Sequence, residues 1–419
     1  MIKIKNNNYI YITGKKMGQR IYLDHAATTP VDKIVVEEMQ SFMLNNWHNP
    51  SSIYVEGQKA SNAIQKSRED IAKFIGAMPE EIFFTSGGSE SNNLAIRGIV
   101  ESFSSENVHV VTSSIEHHAV IDPIEMLSHQ NKITYSHVKP NKEGFILPAE
   151  VLKEITKDTK LVSIMHANNE VGAINDIGLI TQEIKASNPD ILVHSDSVQY
   201  IAHFPIDVKE LGIDLLSFTG HKFYGPRGAG VLYVKNGTAL VPQIVGGGQE
   251  KNMRAGTENV AAIIGLAKAM EIANNERELD IKRDQELVQE LKSLISNKIP
   301  RIGFTGPKNL NQRIPGMLSM IIEGIEGEAI LLGLDMQGIC ASSGSACSTG
   351  SIEPSHVLTA IGIPNDLARG SLRLSFGREN TKNDVGYISK VLPDIISNLR
   401  ELSSQKNISK KTQSEWLEN

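Results

Sequence analysis

The stretch ILVHSDSVQYIAHFPIDVKELGIDLLSFTGHKFYGPRGAGVLYV, residues 191–234, decides the fold class. It contains three short apolar runs separated by polar, helix-like or glycine-rich segments, and the upstream sequence repeats this pattern. The six runs span residues 82–85, 108–112, 161–165, 191–193, 215–218 and 230–234. Because short apolar strands that alternate with helices form parallel sheets covered by helices, the sequence predicts an α/β fold with a largely parallel sheet.

Two domains are expected, because 419 residues exceed the size at which a single core usually stops growing. A helical pattern over residues 258–298 leads out of the predicted sheet, and strand and helix patterns follow it. We predict a large domain over 29–275 and a smaller α+β domain formed by 21–28 and 276–402. Residues 1–20 are predicted to be a disordered extension, and 403–419 a polar tail that frays. Thr29 and Pro30 are predicted to be the N-cap and first residue of the first helix.

Composition excludes several classes of function. The 42 basic and 48 acidic residues give a net charge of −6, without the basic surplus typical of nucleic-acid binding. No apolar run approaches the ~20 residues that span a bilayer, so no membrane partner is expected. The two cysteines, Cys340 and Cys347, are too few for a disulfide framework and indicate a cytoplasmic protein. No metal site is predicted.

A possible phosphate site lies in TSGGSESNN, residues 85–93, which follows a strand and opens a helix. Backbone N–H groups at a helix N-terminus bind anions, and these groups together with Ser89 would face an incoming anion here. A turn that uses glycine and serine only for geometry is the alternative, and it is the commoner one for an isolated segment of this kind.

Two further segments carry chemically distinctive side chains. Asp196 ends a buried apolar strand, where a carboxylate either pairs with a cation or caps the next helix. Lys222 lies in a tightly turning, glycine-rich segment, and a lysine held in this way can act as a nucleophile towards carbonyl groups. A solvated surface lysine is the alternative, which the neighbouring Thr219, His221 and glycines make less favourable.

These elements, in this order, resemble the fold-type I, class V pyridoxal-phosphate enzymes, most closely the group I cysteine desulfurases of the iron–sulfur-cluster and nitrogen-fixation type. The resemblance covers about residues 21–402. The matching motifs are LDHAATTP (23–30), the segment 85–93, EHHA (116–119), HANNEVG (166–172), Asp196 to Gln199, GHK (220–222), GGGQE (246–250), RAGT (254–257) and ASSGSAC (341–347).

The resemblance implies pyridoxal 5′-phosphate as the cofactor of a fold-type I transferase. Lys222 would form the Schiff base with it, Asp196 would pair with its ring nitrogen, and His117 would stack on the ring. Asn169 and Gln199 would contact the ring hydroxyl. The phosphate would bind to Gly88, Ser89, Thr219, His221 and, from the neighbouring subunit of a homodimer, Thr257.

The resemblance also implies L-cysteine as the substrate, with Asn49 and Arg373 holding its carboxylate. Cys347, in a loop of small and polar residues, would take the substrate sulfur as a persulfide and pass it to an acceptor protein such as an iron–sulfur scaffold. Lys222 or His117 would move the Cα proton. Cys340 ends an apparent strand and receives no catalytic role. A class V aminotransferase, a selenocysteine lyase and a non-catalytic scaffold remain alternatives.

Overall fold

The computed structural model describes residues 20–103, 107–343, 354–402 and 415–417. Its helices are α1 (Lys33–Asn45), α2 (Val55–Phe74), α3 (Gly88–Ser102), α4 (His118–His129), α5 (Pro148–Glu154), α6 (Ile177–Ser187), α7 (Val208–Leu211), α8 (Val260–Ser296), α9 (Gly327–Met336), α10 (His356–Ala360), α11 (Asn365–Ala368) and α12 (Lys382–Leu402). Its strands are β1 (Ile21–Tyr22), β2 (Ile82–Thr85), β3 (His109–Ser113), β4 (Thr134–Val138), β5 (Thr159–Ser163), β6 (Leu192–Asp196), β7 (Leu215–Thr219), β8 (Gly230–Val234), β9 (Ile302–Phe304), β10 (Met317–Ile322), β11 (Ile339–Cys340) and β12 (Ser371–Ser375).

The large sheet has seven strands in the order β2-β8-β7-β6-β5-β3-β4. Strand β8 is antiparallel to its neighbours β2 and β7, and the other four pairings are parallel. The predicted α/β fold with a mostly parallel sheet is therefore confirmed.

Both faces of this sheet are apolar, because successive side chains of a strand point to opposite faces. In β8, Val231 and Tyr233 belong to one buried cluster, whereas Leu232 and Val234 belong to another. Helices α2, α6 and α8 complete the first cluster, and α3 and α4 complete the second. The sheet is thus a central layer between two helical layers. Because helices cover both of its faces, polar side chains lie at the ends of its strands.

A second, separate core surrounds a smaller antiparallel sheet with the order β12-β10-β9. Helices α9 and α12 pack on it, as does the second half of α8, through Leu287, Leu291 and Ile295. The first half of α8 packs in the large domain through residues such as Leu266 and Ala269. One helix of 37 residues therefore joins the two cores. The domain bounds given above remain a prediction.

Helix α1 begins three residues later than the sequence pattern indicated. Asp32, not Thr29, is its N-cap and accepts a hydrogen bond from the Ile34 N–H. The predicted N-cap was wrong because the Thr29 hydroxyl is used elsewhere, in hydrogen bonds to the segment that carries Lys222. Within the described ranges, no helix combines the length and hydrophobicity that a membrane crossing needs.

Candidate active site

Lys222 lies directly after β7, in a single 3-10 turn formed by Gly220–Lys222. Its Nζ donates hydrogen bonds to the carbonyl oxygens of Ala26, at 2.6 Å, and Ala27, at 2.8 Å. The amine is therefore held at the carboxyl end of the large sheet, where ligands of open α/β sheets bind.

The backbone on both sides of Lys222 is fixed by Thr29. The Thr29 hydroxyl donates to the carbonyl oxygen of His221, at 3.0 Å, and accepts from the N–H of Tyr224, at 2.7 Å. Tyr224 has a left-handed φ of 63°, which a residue other than glycine adopts only when its surroundings hold it there. Arg378 supports it further, with its guanidinium 4.3 Å from the Tyr224 ring.

Asp196, the last residue of β6, is 5% exposed. Its carboxylate accepts hydrogen bonds from the Asn92 side-chain amide, at 2.7 Å, and from the Val198 N–H, at 3.0 Å. Both of these donors are neutral. A buried carboxylate held by neutral donors gains most from a cationic ligand, so this site suits a protonated ring nitrogen. Asp196 does not cap a helix, so the alternative interpretation of this residue is wrong.

His117 is the N-cap of α4, and its Nδ1 accepts a hydrogen bond from the Ala119 N–H at 3.0 Å. In the neutral ring the proton therefore lies on Nε2. Burial lowers the pKa of His117, and the nearby Lys222 ammonium lowers it further, while Asp196 opposes both effects. The neutral imidazole is thus the favoured form of His117, and the charges of Asp196 and Lys222 act on its pKa in opposite directions.

Next to His117, the side chain of Glu116 is fully buried. Burial raises its pKa to about 8, although the Ser113 hydroxyl and the Met165 N–H both donate to its Oε1. The other carboxyl oxygen, Oε2, has no hydrogen-bond partner among the described residues. Burial therefore favours the protonated, neutral form of Glu116.

The predicted phosphate site lies at the N-terminus of α3, which begins at Gly88 and has no side-chain cap. A Cβ atom on Gly87 would meet no atom within 4 Å, so open space lies over this helix end. Gly230 permits the turn, because a Cβ there would lie 2.6 Å from the Cα of Gly87. Gly88 also lies near Thr219: its Cβ would be 3.7 Å from the Thr219 methyl group. These features fit a phosphate group.

The other predicted cofactor ligands lie around the same sheet edge. Gln199 is 6% exposed and donates to the Ala26 carbonyl that Lys222 also contacts. His221 contacts the Thr28 hydroxyl at 3.1 Å, and burial and the Lys222 charge lower its pKa to about 4. The Thr219 hydroxyl donates to the carbonyl oxygen of Ala229, so it would bind a phosphate only after turning.

Arg373 is buried in β12, with 5% exposure, and is not a surface residue. Its guanidinium donates to the Asn169 carbonyl oxygen, at 2.7 Å, and to the Asp24 carboxylate, at 3.0 Å. Its buried Nε has no hydrogen-bond partner in the described part of the chain. An unpaired guanidinium N–H is costly when buried, so Arg373 suits an anionic ligand such as a carboxylate.

Two predicted site residues are not brought into this group. Asn49 is exposed after α1, and its side-chain oxygen accepts from the Ser51 N–H. Thr257 is also exposed. Cys347 lies outside the described residues, which resume at 354. The ends of the gap at 344–353 lie beside the site: Ser342 pairs with Arg373, and Ser355 donates to the buried Glu170.

Sequence reasoning missed several residues that hold this site. Asn92 positions Asp196, the carbonyls of Ala26 and Ala27 hold Lys222, and Asp24 orients Arg373. Asn92 could have been found, because it lies one helical turn after Gly88 and so faces the same side of α3.

The sheet, the lysine at a strand end, the buried carboxylate and the uncapped helix N-terminus together define a fold-type I transferase of the pyridoxal-phosphate-dependent class. The chain belongs to the Aminotransferase class-V family, whose sequence model matches residues 21–388. Members of this family are pyridoxal-phosphate enzymes. The resemblance to cysteine desulfurases predicted from the motifs is confirmed.

Individual relatives agree with this assignment. Cysteine desulfurase IscS of Dictyoglomus turgidum is 47% identical over 393 residues, which cover 93% of this chain and 98% of that protein. A solved NifS-like protein superposes with a TM-score of 0.85 at 37% identity, covering 91% of this chain and 100% of the other. The structure of SspA in complex with cysteine gives a TM-score of 0.75 at 36% identity, covering 86% and 100%.

Proposed function

We propose that this chain is a cysteine desulfurase that converts L-cysteine to L-alanine and forms a persulfide on Cys347. The sulfur then passes to acceptor proteins for iron–sulfur cluster assembly or RNA thiolation, in the cytoplasm. The observation that carries the proposal is the presence of a held Lys222, a buried Asp196 and an incompletely paired Arg373 in a chain whose relatives are cysteine desulfurases.

The residues present fit pyridoxal 5′-phosphate, because an uncapped helix N-terminus, a buried carboxylate with neutral donors and a held lysine lie together. When bound, the cofactor supplies an aldehyde for covalent linkage to amines and a ring that withdraws electrons from the substrate Cα. Lys222 would take the aldehyde, Asp196 the ring nitrogen and His117 one ring face. Hydroxyl and phosphate contacts would come from Asn169, Gln199, Gly88, Ser89, Thr219, His221 and Thr257.

Arg373 binds the substrate carboxylate in this proposal, and Asn49 assists it. The Asp24 carboxylate and the Asn169 carbonyl already orient the guanidinium, so little side-chain freedom is lost when the substrate binds. The buried Nε–H gives the arginine a donor that no described residue of the chain uses. A carboxylate at this position therefore removes the cost of a buried, unpaired donor.

We assign the transfer of the Cα proton to Lys222. Nδ1 of His117 is occupied by the Ala119 N–H, and the neutral ring already carries its proton on Nε2. His117 is therefore suited to donate a hydrogen bond from Nε2 rather than to accept a proton there. Lys222, whose Nζ is close enough to influence His117 electrostatically, is the remaining base.

The sulfur step balances without an external oxidant. The thiolate of Cys347 attacks the substrate sulfur, an S–S bond forms and the substrate C–S bond breaks. The electron pair of the C–S bond stays on carbon, which takes up a proton to give alanine. L-cysteine and one protein thiol thus become L-alanine and one protein persulfide.

The direct test incubates the holoprotein with L-cysteine and measures alanine and protein-bound sulfur together. Equal amounts of both in a single turnover, with the sulfur located on Cys347 by mass spectrometry, are expected. The Cys347→Ser variant should form little alanine and little protein-bound sulfur, whereas Cys340→Ser should form both as the wild type does. Continued alanine formation without bound sulfur would contradict the role of Cys347, and unchanged amino-group transfer to a keto acid would favour an aminotransferase.

A homodimer is part of the proposal, with Thr257 serving the neighbouring site. Exposure of Thr257 and of large apolar side chains, such as Trp47 at 73%, Ile53 at 94% and Val245 at 87%, supports it. The test mixes Lys222→Ala chains with Thr257→Val chains. If Thr257 acts across the interface, mixed dimers contain one intact site and recover activity that neither parent has. If Thr257 acts within its own chain, mixing restores nothing.

A further inference from the structure

The end of the chain, Glu415–Trp416–Leu417, packs back onto the rest of the protein. Trp416 and Leu417 are partly buried against the core of the large domain. Nζ of Lys142 contacts both carboxylate oxygens of Glu415, at 2.9 and 2.8 Å. This part of the predicted polar tail therefore has a defined position. It also lies beyond residue 388, where the family match ends.

Trp416 lies against two glycines in other elements, and the close approach at Gly303 requires a glycine. A Cβ atom on Gly303, in the edge strand β9, would overlap the carbonyl oxygen of Trp416, so only glycine lets the two backbones approach. A Cβ on Gly362, in the turn between α10 and α11, would lie 3.9 Å from Cζ2 of the indole. The tail covers an edge strand, which otherwise presents unpaired backbone groups.

The tail also contacts the unit formed by α10 and α11, which follows the segment carrying Cys347. Ser355 caps α10, and its hydroxyl also donates to the buried Glu170, which follows Asn169 of the candidate site. His356 contacts the carbonyl oxygen of Glu116 at 2.9 Å. The unit α10–α11 thus has the active-site residues on one side and the Trp416 indole on another.

The indole is the main source of binding in this contact. Both members of the Lys142–Glu415 pair are about two-thirds exposed, and an exposed pair contributes little. An aromatic ring buries a large apolar area at a low cost in side-chain entropy. Attachment through the twelve residues between Leu402 and Glu415 gives an effective concentration on the order of millimolar, so even weak contacts keep the tail bound.

We propose that the surface formed by β9, Lys142 and the α10–α11 turn is a docking site for an acidic residue followed by an aromatic and an aliphatic residue. Its occupant is the chain's own segment 415–417. Docking fixes α10–α11, the helical unit that follows the segment with Cys347 in the chain. The docking itself does not depend on the sulfur chemistry.

The first test follows Trp416 directly, since the chain has two tryptophans, Trp47 and Trp416. The full-length holoprotein is labelled with 5-fluorotryptophan, and Trp416→Phe assigns the two ¹⁹F signals. In the wild type, we expect the ¹⁹F chemical shift of Trp416 to differ from that of the unfolded protein, and the indole to be protected from a soluble paramagnetic agent. In Gly303→Ala, the Trp416 signal should move to the chemical shift of the unfolded protein, and the indole should become accessible to the agent. Gly386→Ala, where an added Cβ meets no atom within 4 Å, should leave it unchanged.

An exposed Trp416 signal in the wild type, or an unchanged one in Gly303→Ala, would overturn the docking. The second test covers the case in which Gly303→Ala fails to fold. A chain ending at residue 402 is mixed with the synthetic peptide of residues 413–419. Saturable binding, lost when the peptide carries alanine in place of Trp416, is expected. Absence of saturable binding up to millimolar peptide would overturn the proposal.

The effect on α10–α11 is measured by hydrogen exchange of residues 356–368. Exchange should be severalfold faster in the chain ending at 402 than in the wild type, with β6 unchanged as an internal reference. Addition of the peptide should restore the slow exchange. Equal exchange in all three samples would show that the tail does not fix this unit. These readouts are independent of desulfurase activity, so failure here and failure of the proposed function are distinguishable.

Discussion

Thr29→Val tests whether the segment around Lys222 is held by one buried hydroxyl. Thr29 is 4% exposed, and valine has nearly the same shape, so the substitution opens no cavity. It removes the bonds from the hydroxyl to the His221 carbonyl and from the Tyr224 N–H. The His221 carbonyl keeps a second donor, the Thr29 N–H at 2.9 Å. The free-energy cost of the substitution therefore comes from the Tyr224 N–H, which would lose its acceptor and face a methyl group.

A polar group left without its partner in the protein interior costs about 1–3 kcal/mol. The left-handed conformation of Tyr224 adds strain of about 1–2 kcal/mol that this bond helps to maintain. Relaxation of Tyr224 would displace Lys222, two residues away, from the carbonyls of Ala26 and Ala27. Since 1.4 kcal/mol corresponds to a factor of ten, a fall of about tenfold or more in kcat/KM is expected.

The assay measures alanine formation from L-cysteine by the holoprotein and, separately, the rate at which the cofactor dissociates. Thr29→Val should lower kcat/KM and speed dissociation, whereas Thr29→Ser, which retains the hydroxyl, should remain close to the wild type in both. If the valine and serine variants were indistinguishable, the hydroxyl would not position Lys222 and the reasoning would be refuted.

Three further outcomes follow from the site. Lys222→Ala should lack the visible absorbance of a covalently bound cofactor, and borohydride reduction followed by digestion should label position 222 in the wild type but nothing in the variant. Asn92→Leu removes a donor from the buried Asp196 carboxylate and should weaken cofactor binding by roughly tenfold in equilibrium dialysis, unlike Asn93→Leu, because the half-buried Asn93 side chain donates to the Ser89 carbonyl oxygen and not to Asp196. Glu116 has a pKa raised by burial from 4.5 to about 8, so its contribution to stability is full below pH 4.5 and lost as the pH rises through 8. The melting temperature should therefore fall more steeply between about pH 5 and 9 in the wild type than in Glu116→Gln; parallel curves would contradict this.

The central strands of the large sheet could be predicted from sequence because both of their faces are buried. Strands β2 and β8 match the predicted runs at 82–85 and 230–234, and the strands that correspond to the other four runs begin within two residues of the predicted starts. Strands β4 and β9 are not among the six predicted runs. Both lie at sheet edges, where polar residues such as those of Thr134–Val138 replace the continuous apolar pattern.

The site was predictable as a set of residues but not as a set of contacts. The motifs name Lys222 and Asp196, because strand ends and glycine-rich turns are visible in sequence. They do not show that Thr29 holds His221, 192 positions away, or that Asp24 orients Arg373 across 349 positions. Each pair joins residues that are far apart in sequence but lie in the same domain, and local periodicity does not encode such contacts.

Helix α8 is anchored in a different hydrophobic core at each end, and between the two cores it is held by polar contacts, such as those of Glu276 and Asp280 with Arg378. Its first half is embedded in one core as far as Ala273 and its second half in the other from Leu287, while Leu279, between them, is 73% exposed. Neither anchored half can slide without opening a cavity in its core. A rotation of the smaller domain must therefore bend the turns of α8 between the two cores. The resistance of the helix to bending then limits the rotation and returns the domain to its original position.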